Sequence, residues 1–236
     1  ISDINVWHQY MTKEVDLVFI SHAYSNLGQI SPIEKVISLA RKYGVISIVD
    51  IAQSAGVVPF DLTKSDPDFM IGSCVKWLCG GPGAAYLWVN ADQLSHCQPK
   101  DVGWFSHRDP FEFNIHNFEY NESALKFWGG TPSIAPYAVA LNSVNYFAKI
   151  GSKTIRKYNQ YLIELLIAEL GDSVVSPIVE AERSGTAILN FGENHSYALD
   201  KLKHHGFSVD ERVHGIRVSP HVYNTKEDIM KLVNLF

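Results

Sequence analysis

The run Val45-Ile46-Ser47-Ile48-Val49-Asp50-Ile51 constrains this chain more than any other. It is continuous, apolar and β-branched, the pattern of a strand covered on both faces. A carboxylate, Asp50, stands at its end. Upstream, residues 16–20 form a short apolar run that reads as another strand, and 21–30 reads as a polar loop containing Asn26 and Gly28. Ser31-Pro32-Ile33-Glu34 then signals a helix start, with serine as cap and proline in the first turn. Ile33, Val36, Ile37 and Ala40 share one face of that helix, and Tyr43-Gly44 ends it. Strand, helix and strand within fifty residues predict a right-handed crossover in a largely parallel sheet. Residues 68–72 and 84–89 read as further strands of it.

Between those two runs lies Ser73-Cys74-Val75-Lys76-Trp77-Leu78-Cys79, followed by Gly80-Gly81-Pro82-Gly83. A lysine held between buried strands is costly unless it is bonded or well paired. Attachment to an aldehyde cofactor is one reason to keep it there. A carboxylate at a strand end is suited to pairing with a protonated pyridine nitrogen, since ligands of open α/β sheets sit beyond the carboxyl ends of the strands. Lys76 and Asp50 together therefore suggest pyridoxal phosphate, with Lys76 as the internal aldimine and as the base at Cα. Alone, Asp50 also suits a simple turn cap, and Gln53 either donates to a ring oxygen or satisfies its own loop. His22, just after the first strand, is placed to reach the same crevice. The glycine run lacks nucleotide-loop spacing and serves either close approach to a ligand or a tight turn.

Periodicity fades over 92–130, where Trp104, Phe105, Phe111, Phe113, Phe118, Tyr120, Phe127 and Trp128 crowd together. Such a long excursion carries function or packs as core. Gly129-Gly130-Thr131-Pro132 precedes a helix expected over 132–150, with Thr131 as cap or as part of an anion seat. A second amphipathic helix is expected over 153–170. Further on, strands are expected at 185–191, 207–210 and 215–219 and a helix at 195–205. Thr225 caps a last helix with Asp228 three residues on. The expected organisation is part of a large domain over 1–132, connecting helices over 133–170 and a small α+β domain over 171–236. Arg217 alternates with apolar residues on its strand. Its planar fork suits an α-carboxylate, or it faces solvent.

The 236 residues are 46% hydrophobic, enough for a sizeable core, and the net charge is −5 without a basic stripe, which argues against nucleic acid. No apolar run reaches membrane-spanning length. Cys74, Cys79 and Cys97 make no disulfide framework and no zinc-ligand spacing, so no metal site and a reducing, cytoplasmic setting are expected.

The ordered set of Asp50-Ile51-Ala52-Gln53-Ser54-Ala55-Gly56, Lys76, Gly80-Gly81-Pro82-Gly83, Gly129-Gly130-Thr131-Pro132 and Arg217-Val218-Ser219-Pro220-His221-Val222-Tyr223-Asn224 resembles the aminotransferase class V group of fold-type-I pyridoxal-phosphate enzymes. Within the group, Gly103-Trp104-Phe105-Ser106-His107-Arg108-Asp109-Pro110-Phe111, with Phe127 to Pro132, is similar to kynureninases and related amino-acid lyases or epimerases. The resemblance implies Asp50 on the pyridine nitrogen, Gln53 on the phenolic oxygen and Lys76 as aldimine. It also implies Thr131 on the phosphate of a neighbouring subunit's cofactor in a homodimer, and Arg217 on the substrate carboxylate. Trp104 and Asn26 complete the expected substrate contacts. Val75 stands where kynureninases usually have tyrosine and Gln53 where they tend to have histidine. The loop Glu211-Arg212-Val213-His214-Gly215 lacks the reactive cysteine of desulfurases. Family members have roughly twice this length, so the chain is expected to be the carboxy-terminal portion of such an enzyme, a partial large domain with its small domain. A kynureninase-like lyase or hydrolase is the first expectation. An aminotransferase, or a non-catalytic remnant, is the alternative.

Overall fold

The computed structural model describes residues 1–236. The chain opens with helix α1 (Ile4–Tyr10), capped by Asp3, then strand β1 (Leu17–Ser21). The segment expected to be a loop holds a two-residue antiparallel pair, β2 (Ala23–Tyr24) with β3 (Gln29–Ile30). Helix α2 (Ile33–Tyr43) leads into β4 (Ile46–Asp50). The expected serine cap of α2 is not formed. Pro32 takes the cap position without a side-chain bond, and Ser31 Oγ instead donates to the Ser21 carbonyl at 2.9 Å, tying the helix entry to β1. After the short helix α3 (Leu62–Ser65) come β5 (Phe69–Ser73) and β6 (Ala85–Val89). The sheet order is β1-β4-β5-β6. The first three strands are parallel and β6 runs antiparallel at the edge.

The expectation that β4 is covered on both faces is corrected. Ser47 and Val49 are buried at 1% and 0%, whereas Ile46 is 37% exposed beside its register partner Leu17 at 45%. Helix α2 packs Val36, Ile37 and Ala40 onto the face that carries Ile20, Val49 and Met70. The opposite face, where Leu17, Phe19, Ile46 and Asp50 alternate, has no such cover over its first residues. The β-branched run gave the strand but not its coverage, because composition does not say which layer lies above a sheet.

The excursion after β6 holds helix α4 (Ala91–Leu94) and 3₁₀ turns at Trp104–Ser106 and Ala124–Phe127. Helix α5 (Ile134–Ile150) begins two residues later than expected, with Ser133 rather than Thr131 at its cap position. Helix α6 (Ser152–Leu170) follows directly. Then come β7 (Ala187–Leu189), α7 (His195–His204), β8 (Asp210–Arg212), β9 (Gly215–Val218) and α8 (Lys226–Val233). The antiparallel sheet β7-β9-β8 packs with α6, α7 and α8 around Leu162, Leu166, Ala187, Leu202, Ile216 and Ile229. The strand expected at 207–210 forms instead at Asp210–Arg212, because pairing with β9 sets its limits. The Thr225–Asp228 capping box forms with both reciprocal bonds, at 3.0 and 3.2 Å.

Candidate active site

Because β1, β4 and β5 are parallel, the segments after them emerge at one end of the sheet. His22 follows β1, Asp50 and Gln53 lie at and just past the end of β4, and Lys76 follows β5. Asp50 Oδ1 accepts from Ala52 N at 2.8 Å, which turns the chain sharply after the strand. No side chain of the protein bonds its second oxygen.

The Lys76 loop is fixed through its backbone carbonyls. The Cys74 carbonyl accepts from Gly80 N at 2.7 Å and the Lys76 carbonyl from Cys79 N at 2.9 Å. The Trp77 carbonyl takes the His221 ring Nε2 at 2.7 Å, and Ser143 Oγ on α5 donates to the Leu78 carbonyl. Trp77 itself is buried against Val57 and Val58. Glycine is required where this loop meets α5. A Cβ on Gly80 would lie 2.8 Å from Cys74 Cβ and 3.0 Å from Ala140 Cβ, and Gly83, at φ +95°, would meet Pro136 at 2.9 Å. At Gly80 and Gly83 the glycine run therefore serves the approach of a helix. Lys76 is exposed, not held between buried strands, since the strands end before it and only the loop backbone is packed.

Lys76 lines a cavity of about 330 Å³ together with Gln53, Thr186, Arg212, Arg217, Ser219, His221 and Tyr223. Three side chains of the lining are cationic and none is acidic, so the cavity favours an anion. Burial holds the His221 imidazole below its ordinary range against the opposing pull of the Trp77 carbonyl, which keeps the ring neutral. Arg217 does not simply face solvent. Its Nε and Nη2 donate to Asp210 Oδ1 and Oδ2 at 2.8 and 2.7 Å. Arg212 donates from Nη2 to the same Oδ2 at 2.7 Å, and its Nε is buried without a partner.

Other expected site residues lie elsewhere. His22 is buried, hydrogen-bonds Ser54 Oγ at 2.9 Å and lies edge-on to Phe60, lining a separate cavity. Burial, and then the charge of Arg156, lowers its pKa to about 4. Its ring therefore braces the turn after β4 and is not among the side chains around Lys76. Asp50 is not in the cavity wall either; it precedes Gln53 by three residues. Thr131 is exposed ahead of α5, Trp104 is 58% exposed against Phe113, and Asn26 is exposed at the β2–β3 turn. None of the three lines the cavity. Arg212, His221 and Tyr223 do line it, although the sequence reading does not mark them as site residues. His221 and Tyr223 lie in the segment that carried the resemblance, while Arg212 gave no signal before β8 and β9 were paired.

The sequence pattern of the aminotransferase class-V family matches residues 2–232. A kynureninase of Bacillus cereus (strain ATCC 10987 / NRS 248) is 29% identical over 238 residues, covering 95% of this chain and 55% of its own. An uncharacterized aminotransferase of Bacillus subtilis (strain 168) is 25% identical over 231 residues, covering 97% of this chain and 60% of its own. The chain thus spans little more than half the length of these relatives. Among solved structures, the apo cysteine desulfurase of Thermococcus onnurineus NA1 superposes with a TM-score of 0.88 at 23% identity, over 99% of this chain and 62% of that one. A lysine-to-alanine variant of a cystine C–S lyase, with glycine covalently linked to its PLP cofactor, gives 0.84 at 20% identity, over 99% and 63%. At these identities the superpositions establish a shared fold.

Proposed function

The chain belongs to the aminotransferase class-V family, and from that premise we propose that it is the site-bearing portion of a pyridoxal-phosphate enzyme acting on an amino acid, as a kynureninase-like lyase or hydrolase. The observation that carries this reading is the gathering of Lys76, Gln53 and Arg217 around one cavity. They come from distant parts of the chain, and one bond that links those parts is His221 on the Trp77 carbonyl.

The residues fit the reactive end of the cofactor. Lys76 offers an exposed primary amine on a fixed backbone, Gln53 an amide, and Asp50 an oxygen that no side chain of the protein engages. Lys76 would hold the aldehyde carbon, Gln53 the ring oxygen and Asp50 the ring nitrogen. Bound there, the cofactor supplies an electron-withdrawing ring that stores the charge left at Cα. Arg217 binds and orients the substrate carboxylate through its free guanidinium end. The amine of Lys76, once released, takes the Cα proton. Neutral His221 fixes the loop that carries Lys76 and adds no competing charge. Thr131, exposed and outside the cavity, is available to a second subunit, in keeping with a homodimer.

The test is spectroscopic before it is catalytic. The purified protein with added cofactor is expected to show a visible absorption band that borohydride abolishes and that Lys76→Ala lacks. A chain that shows no band and no lysine adduct by mass spectrometry overturns the reading and leaves a non-catalytic remnant. With the band present, alanine formed from kynurenine supports the lyase, and a keto acid formed with a second amino acid supports an aminotransferase.

A further inference from the structure

We propose that Asp210 is a positioning residue for carboxylate recognition, holding Arg217 side-on so that the free end of its guanidinium serves the cavity of Lys76. The inference rests on the reading of that cavity as an amino-acid site.

Asp210 and Arg217 are direct cross-strand partners of β8 and β9, so their side chains leave the same face of the sheet. The carboxylate takes Nε and Nη2 of Arg217 together, a two-point contact that fixes the plane of the guanidinium. Both N–H groups of Nη1 and the second of Nη2 remain, and one from each nitrogen makes the end-on fork that grips a carboxylate. Position separates the two roles. Arg217 lines both the Lys76 cavity and a neighbouring one of about 640 Å³, whereas Asp210 lines only the second. The acid therefore stands behind the arginine and does not occupy the place of a ligand. The same carboxylate oxygen takes Nη2 of Arg212, which holds two guanidinium groups together against their repulsion and leaves the cavity with surplus positive charge. An acid placed only to neutralise Arg217 would not need the side-on geometry or the second arginine.

The experiment uses the full-length protein, with propionate as an anionic probe and propionamide as its neutral counterpart, followed by the arginine Nε–Hε resonances. In the wild type, propionate is expected to shift the Arg217 resonance and propionamide to leave it in place. Asp210→Asn keeps the shape but offers one acceptor and an opposing donor; it is expected to weaken propionate binding about tenfold, and Asp210→Ala at least as much. Asp210→Glu retains the charge and is expected to bind between wild type and Asn. In the holoenzyme the Asn variant raises KM for the amino acid while kcat changes little. Thermal melts check folding, and if the Ala variant fails to fold the Asn and Glu variants decide. If the wild type responds to propionate and the folded variants respond equally, the positioning role is overturned. If the wild type shows no response at Arg217, the reading of the cavity is overturned and this inference with it.

Discussion

Lys76 and His22 show how much a residue's role depends on what surrounds it. Lys76 was legible from its setting between two apolar runs and a glycine turn, yet its side chain is exposed and its backbone is what the protein holds. His22 was legible as a strand-end residue, but it serves the interior. Its ring stays neutral down to about pH 4 in the folded chain, because burial and the Arg156 charge oppose the imidazolium. In the unfolded chain it takes up a proton near its ordinary value of 6.5. The folded pKa is therefore depressed. The contribution of the neutral ring is whole above pH 6.5 and is lost as pH falls from there towards about 4. It amounts to at most about 3 kcal/mol. Denaturant titrations at a series of pH values should show this fall, and His22→Gln should flatten it. An unchanged slope in that variant would assign the acid sensitivity to other groups.

At the scale of elements, the Lys76 loop is a meeting point. It follows β5, receives Ser143 of α5 on one carbonyl and His221, just past β9, on another. His221 also stacks on Phe147 of α5, with ring centres 5.1 Å apart. Changing His221→Phe keeps an aromatic ring against Phe147 and removes both the bond to the Trp77 carbonyl and the acceptor for Val222 N. It is expected to cost about 1 kcal/mol and to speed hydrogen exchange at the Cys79 and Gly80 amides. Exchange that stays at the wild-type rate would show that the loop holds itself. The helices and the β-branched strand could be read from periodicity, and so could the Thr225 box, because those signals are local. The failure of Ser31 to cap α2, the antiparallel β6 and the true limits of β8 are set by pairing partners distant in the chain.

Across the whole molecule, the apolar interior divides into two main cores, one around α2 and the parallel sheet and one around α6 and the β7-β9-β8 sheet. Ser184 N donates to the Gly28 carbonyl at 2.7 Å and His221 bonds the Trp77 carbonyl across the two, while helix α6 holds the C-terminal part together from within. Its buried Asn159 donates to the carbonyls of Gly185 and Pro220 at 2.9 and 2.7 Å, and Gln160 links Arg183 and the Ser184 carbonyl. Asn159→Leu leaves two buried carbonyls without a donor and is expected to cost about 2 kcal/mol, read as a lower denaturant midpoint. A midpoint equal to wild type would mean that water replaces the amide. The class of the fold, the strand-helix-strand order and the candidacy of Lys76, Gln53 and Arg217 are readable along the chain, since propensity, periodicity and ordered motifs are written in neighbouring residues. Folding in three dimensions is what sets Arg217 against Asp210, brings Arg212 and His221 to the same cavity and turns His22 to Ser54. Those arrangements depend on residues far apart in the chain meeting in space, and no local rule of composition or spacing encodes which of them will meet.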